Sequence, residues 1–310
     1  MNTSVDATDS RPSVPAPVPA VSVIVPCFNG GRFLDGLMDS LARQTFRDFE
    51  IIIVDDGSDD PKTISRFEAL EDRVRVIRQD NRGLSAARNA GISSARADLV
   101  LPLDCDDVIE PLFLAEAVAL MRRAPADVAM VFSHMRLTGD ANGVVGRHFN
   151  RFDLLFTNTL PSGLLLRKAC WNAAGGYDEA MRDGYEDWEF HLRLASRGYR
   201  GLEIAKPYYV YTVAHDGMLL GRSSLMHGRL WRAIRNKHRA LYRPVAMLRL
   251  WRATRDGSGR VSLGKAAAAY LLATVLPDAW YSRVVGALRH RRRREVSRSS
   301  YVPSKSEFAA

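Results

Sequence analysis

Four short apolar runs constrain this chain more than any other feature of it: Val21–Val25, Phe49–Val54, Val74–Ile77 and Leu99–Leu103. Each is closed by a turn rich in Asp, Asn, Gly or Ser, as a buried strand is. Between the first two, Leu34, Leu37, Met38 and Leu41 fall at i, i+3, i+4 and i+7, the core stripe of a helix. Helices are also expected over residues 61–71 and 83–94. The resulting β-α-β-α-β-α-β alternation predicts an α/β fold, a mostly parallel sheet with helices flanking it. Ligands of such sheets bind outside the carboxyl ends of the strands. Here those ends carry Pro26-Cys27-Phe28, then Asp55-Asp56, then Asp104-Cys105-Asp106-Asp107.

An aromatic ring, a carboxylate pair and an acid cluster therefore converge on one edge. Like charges packed together need a cation among them. Hard oxygen ligands suit Mg²⁺ or Mn²⁺, which take one or two protein carboxylates and fill the rest with water and phosphate. A nucleotide suits this edge: Phe28 can stack on a base, and Asp55 or Asp56 can accept base or ribose protons. Each feature has a plainer reading. Phe28 could be a core aromatic, Asp55-Asp56-Gly57-Ser58 a capping turn, and Asp104–Asp107 an acidic turn before the helix that begins near Pro111. No G-x-G-x-x-G follows the first strand, which argues against a dinucleotide dehydrogenase, and no G-x-x-x-x-G-K-[ST] occurs, which excludes a P-loop NTPase. The glycine-and-lysine loop of a nucleotidyltransferase is missing as well.

Four blocks then resemble one known family in order and spacing: Val21–Gly30, Ile53–Ser58 (Ile-Val-Asp-Asp-Gly-Ser), Asn81–Ile92 and Leu103–Asp107. They are similar to the inverting family 2 glycosyltransferases of the GT-A fold, a Rossmann-like architecture for nucleotide-diphospho-sugar transferases. The resemblance implies that Pro26 and Phe28 lie by the donor base and that Asp55 and Asp56 hold uracil and ribose. It implies that Arg88 and Asn89 face the nucleotide. Asp104 and Asp106 would be the Asp-x-Asp pair, with Asp106 nearest a Mg²⁺ or Mn²⁺ ion. Family members often carry Tyr-Arg followed by a histidine near the donor phosphates. Here the stretch reads Tyr211-Thr212-Val213-Ala214-His215, so Thr212 replaces the arginine and His215 is either a metal ligand or an ordinary surface histidine.

In the second half a helix (Leu112 to Met121) precedes an apolar run at 128–132, and the polar, Gly-bearing residues 138–150 are expected as a mobile loop. Gly184-Tyr185-Glu186-Asp187-Trp188 then opens a helix that stops near Gly198. Carboxylates at a helix start can simply complement its dipole. Inverting transfer, however, needs a base opposite the leaving diphosphate to take the acceptor hydroxyl proton. Glu-Asp-Trp resembles the family's acceptor-side motif, which points to Asp187 as base, with Glu186 the near alternative. Trp188 is expected to line the acceptor site, with core packing as its plainer role.

Charge divides the chain. Residues 1–221 carry 24 Lys/Arg against 31 Asp/Glu, and residues 222–310 carry 20 against 4. The expected organisation is a disordered lead-in (1–19), the GT-A domain (20–221), a basic helical extension (222–296) and a disordered tail (297–310). In the extension, Leu230, Ile234 and Leu241 alternate with Arg229, Arg232, Arg235 and Arg239, and the run 266–276 is too short to span a membrane. Basic amphipathic helices with Trp280 and Tyr281 at their edge suit an anionic membrane surface; a solvated helical pair is the plainer reading. Nucleic acid is not an expected partner, because the recognisable domain is acidic. Three widely spaced cysteines and the lack of a secretory pattern fit a cytoplasmic chain, peripheral at the inner face of the membrane. The expected activity is metal-dependent, inverting transfer from a nucleotide diphosphate sugar, a UDP-sugar first, to a hydroxyl of a lipid-linked or cell-surface glycan. The alternatives are a silent sugar-nucleotide-binding scaffold and a sugar nucleotidyltransferase.

Overall fold

The computed structural model describes residues 17–213, 225–254 and 259–296. Most of the expected lead-in, His215 and the tail 297–310 lie outside the described residues. The first half alternates as its sequence predicts: β1 (Val21–Cys27), α1 (Leu34–Ala42), β2 (Phe49–Asp55), α2 (Pro61–Glu68), β3 (Arg75–Arg78), α3 (Leu84–Ser94) and β4 (Leu99–Pro102). Then come β5 (Val108–Ile109), α4 (Phe113–Arg123), β6 (Val128–Gly139), β7 (Gly143–Val145), β8 (Leu165–Arg167), α5 (Lys168–Ala174), α6 (Glu186–Ser196) and β9 (Arg200–Val213).

Among the described residues the strands form one sheet in the order β3-β2-β1-β4-β8-β6-β9-β5, with β7 against β6. The β3-β2-β1-β4 portion is parallel throughout. Beyond β4 the sheet is mixed: β8 runs antiparallel to β4 and β6, while β6 and β9 are parallel. Strand order reverses between β1 and β4, which opens a crevice at their carboxyl ends.

Both faces of the sheet are covered, so β1 is buried along its whole length. Its side chains alternate between two cores. Ile24 joins Ile52, Val54 and Val100 on one face, while Val23 and Val25 join Ile53 and Leu101 on the other. Helix α3 lies so close to the first face that a Cβ on Gly91 would stand 2.3 Å from Ile24 Cγ2.

The stretch 138–150, expected as a mobile loop, is instead built around a β-hairpin. β6 runs on to Gly139, and its residues Met135 and Leu137 pair with Val145 and Gly143 of β7. Past Met135 the hairpin carries Arg136, Thr138 and Gly139 and is at most part-buried, as all of β7 is, so it reads as polar in sequence.

Among the described residues four helices follow β9: α7 (His227–Lys237), α8 (Pro244–Ala253), α9 (Leu263–Val275) and α10 (Asp278–Val296). They lie on the same core as Ile24 and Val100: Trp231, Ile234, Tyr242 and Tyr281 belong to that cluster. The Trp231 indole N–H and the Tyr242 hydroxyl both donate to the Leu155 carbonyl, at 2.9 and 2.7 Å. No helix among the described residues is long and apolar enough to cross a membrane.

Candidate active site

The β1/β4 crevice is framed by two loops that one asparagine ties together. Asn29 has a positive φ of 51° just past β1. Its Oδ1 accepts from the Asp59 and Asp60 amides, each at 3.0 Å, and its own amide donates to Ser58 Oγ. Beside it the Phe28 ring stands 49% exposed, free to stack. Pro26, expected at the donor, is buried within β1 opposite Val54, so it shapes the strand end rather than offering a surface.

The two carboxylates that follow β2 divide their work. Asp55 accepts from the Ser58 amide at 2.8 Å through one oxygen, and no protein donor meets its other oxygen among the described residues. Asp56 was expected to hold the donor, but its carboxylate is occupied in fixing the next loop. It accepts from Gln79 Nε2 (2.6 Å), the Arg82 amide (2.9 Å) and the Gly83 amide (2.8 Å). Asn89, expected to face the nucleotide, is likewise occupied elsewhere. Its side chain bonds both the amide and the carbonyl of Tyr177, at 2.8 and 2.9 Å, and reaches Glu179.

Arg88 is the centre of the site. It is 1% exposed, and one terminal nitrogen donates to both Asp104 oxygens at 2.6 and 2.9 Å. The other terminal nitrogen donates to Glu186 at 2.8 Å. Burial disfavours the guanidinium charge, but Asp104 and Glu186 outweigh that and hold its pKa well above the usual value. The acid pair at the end of β4 and the acid pair at the start of α6 therefore share one buried cation. The Tyr177 ring, 5.4 Å below the guanidinium, closes the floor.

Around this cation the acids separate by environment. Glu186 is buried, and burial first and the Asp187 charge after it push its carboxyl up to about 7 against the pull of Arg88. Asp187 is half-exposed. It accepts from the Trp188 amide at 2.6 Å and from Asn158 Nδ2 at 2.8 Å. A carboxylate only accepts, so Asn158 gives its NH₂ group to Asp187 and turns Oδ1 toward His191 Nδ1, 3.3 Å away. His191 is fully buried, and burial lowers its pKa to about 4, which keeps it neutral. Of the two expected bases, Asp187 is the one that solvent reaches, and Glu186 is committed to Arg88.

Trp188 does not line an acceptor surface. It is 1% exposed, and its indole N–H donates to the Leu154 carbonyl at 2.7 Å, so it anchors α6 in the core. At the other acid pair, Asp106 is exposed. Desolvation, and then the charge of Asp104, raise its carboxyl above the usual range. Asp107 is buried, accepts from the Tyr209 hydroxyl and is raised further by burial and by Asp104 and Asp106. It supports the loop from below.

Among the described residues no three His, Cys, Asp or Glu side chains converge as a metal-holding set. The donor chemistry still fits a hard divalent ion, because such an ion needs only one or two carboxylates when diphosphate and water complete its shell. Asp106, and Asp104 through lone pairs left by Arg88, can supply them. Sequence reading missed Asn29, Asn158 and Tyr177. Their types are ordinary loop and core residues, and only the contacts between distant segments reveal them.

The family model described as "Glycosyl transferase family 2" matches residues 22–178. GlyG, a glycosyltransferase of Streptococcus pneumoniae, is 34% identical over 113 residues, covering 36% of this chain and 38% of its own. The matches to the first curated relatives span 27% to 38% of their length. Among solved structures, S. aureus TarS 1-349 in complex with UDP superposes with a TM-score of 0.54 at 23% identity, covering 69% of this chain and 64% of that one. The mannosyltransferase PcManGT from Pyrobaculum calidifontis, in complex with GDP-Man and Mn²⁺, superposes with a TM-score of 0.54 at 19% identity, covering 88% and 81%. These likenesses show the GT-A fold.

Proposed function

The chain belongs to glycosyl transferase family 2, and from that premise we propose that it moves a sugar from a nucleotide diphosphate sugar to a hydroxyl acceptor with inversion. The observation that carries this reading is the Arg88 bridge between Asp104 and Glu186. It links the acids after β4 to the start of α6, where Asp187 stays part-exposed, so the hard oxygen ligands and the carboxylate base of this reading meet through one cation. A single displacement at an anomeric carbon needs both.

In this reading Phe28 stacks on the base and the unpartnered oxygen of Asp55 accepts a base or ribose proton. Asp104 and Asp106 hold Mg²⁺ or Mn²⁺, which supplies Lewis-acid charge for the leaving diphosphate. Asp187 takes the proton of the attacking hydroxyl. Asn158 fixes the rotamer of Asp187, and Arg88 keeps Glu186 from competing for that role. UDP is the first donor base to try, because TarS is named in complex with it. The acceptor is a lipid-linked or growing glycan, and the basic extension holds the chain at an anionic membrane surface where such acceptors lie.

The test combines melting and turnover. UDP with Mn²⁺ at about 100 times its dissociation constant adds roughly 2.7 kcal/mol of stability, readily read as a rise in Tm. Asp106→Ala should lose the part of that rise that needs the metal. Asp187→Asn should keep the rise and lose turnover by about 10²–10⁴-fold. A folded wild-type protein whose Tm no nucleoside diphosphate moves would overturn the reading.

A further inference from the structure

Helices α7 and α9 leave a cavity of about 280 Å³ between them, lined by none of the residues assigned to the transfer reaction. Arg232 and Arg235 of α7 line one wall together with Arg239 from the turn that follows it, and Tyr270 and Thr274 of α9 face them. Arg232 pairs with Asp278 at 2.8 Å. Neither Arg235 nor Arg239 has a carboxylate partner among the described residues.

Arg235 is held in place without being neutralised. Its guanidinium lies 4.6 Å from the Trp231 ring and 5.5 Å from that of Tyr270, and one terminal nitrogen donates to the Ala273 carbonyl at 3.1 Å. Its Nε is buried with no acceptor. Burial works against its charge, and Arg232 adds to that. A stacked, partly desolvated guanidinium whose charge no carboxylate offsets among the described residues, flanked by two more arginines, matches the oxygens of a phosphate group.

Exposed apolar side chains on α9 and α10 say where that phosphate comes from. On α9, Leu271 is 63% exposed and Val275 70%, with Leu272 also exposed. At the start of α10, Trp280 is 60% exposed with Arg283 over its ring. A soluble anion needs none of these apolar side chains, whereas a bilayer offers acyl chains beside its phosphates.

We propose that the α7–α9 cavity is a phosphate-binding site that seats the head group of an anionic lipid, with the exposed Leu271 and Val275 of α9 entering the acyl boundary. This deepens the surface-attachment part of the proposed function, and rests on that part only for the source of the phosphate.

The test is co-sedimentation of the full chain with vesicles of phosphatidylcholine, alone and mixed with phosphatidic acid. Binding should require phosphatidic acid. Millimolar inorganic phosphate should compete more than chloride at equal ionic strength. Arg239→Gln removes an exposed side chain and should weaken binding about fivefold, the worth of one interfacial arginine. Arg235→Gln, checked for an unchanged melting curve, should weaken it at least as much. Arg252→Gln, on exposed α8 outside the cavity, should weaken it less. Equal losses from Arg239→Gln and Arg252→Gln would mean diffuse attraction and overturn the site. A melting shift with inorganic phosphate but no vesicle binding would overturn the lipid assignment in favour of a free phosphate. The UDP and Mn²⁺ shift, measured on the same sample, separates failure here from failure of the transfer reading.

Discussion

A buried carboxylate is tolerable only when donors surround it, and Glu189 shows how thoroughly this chain meets that demand. It is fully buried on α6, yet Arg193, Lys237 and His238 reach it at 2.6, 2.9 and 2.8 Å. Burial alone would raise its pKa, but hydrogen bonds from His238 and Arg193 win and hold it at about 2. A carboxyl whose folded pKa is depressed stabilises the fold above its unfolded value and loses that contribution as pH falls. The loss should run from about pH 4.5 down to about 2 and amount to roughly 3 kcal/mol. Urea unfolding at neutral and acid pH measures it. Glu189→Gln should be less stable at neutral pH and show a flatter acid limb. Single residues were only partly legible in the sequence. The acids at the ends of β2 and β4 could be read because strand ends are readable. The duties of Asp56, Asn89 and Trp188 could not, since Asp56 meets Gln79 and Gly83, Asn89 meets Tyr177, and Trp188 meets Leu154. Those partners lie 23 to 88 positions away.

Among the elements, α3 carries most of the responsibility for aiming Arg88, and Gly91 sets how close it lies to β1 and β2. A methyl group there meets Ile24 Cγ2 at 2.3 Å and Val54 Cγ2 at 3.0 Å, both in the packed interior of the sheet. Gly91→Ala should therefore cost about 1–3 kcal/mol by overpacking, despite the better helix propensity of alanine. A lowered Tm with a parallel loss of turnover is expected, because α3 must shift and carry Arg88 with it. An unchanged Tm would mean the helix slides freely. The parallel strands could be read from sequence because burial on both faces makes continuous apolar runs. The β6–β7 hairpin reads as a loop because β6 is exposed or part-buried past Met135 and β7 is part-buried throughout, and much of β9 is likewise exposed or part-buried.

At the level of the whole molecule, composition separates a slightly acidic front from a strongly basic back, yet the two share a core. An amphipathic pattern says that α7 has an apolar face without saying what covers it. The cover is Leu155 and the Trp188–Tyr281 aromatic stack around His227. Trp231→Ala should cost about 3–5 kcal/mol. It should shift one cooperative calorimetric transition, where a separately folding extension would show two.

The Arg88 bridge has a consequence for how such a chain can change over time. One guanidinium neutralises a carboxylate from residue 104 and another from residue 186, so the two halves of the crevice are not interchangeable parts. A hybrid that joined the first hundred residues to the remainder of a distant relative would strand a buried cation, or in the reverse hybrid its two acids, unless both junction partners already matched. Recombination is tolerated where few charges cross the seam. Here the seam runs through the centre of the site, which ties the evolution of one acid pair to that of the other.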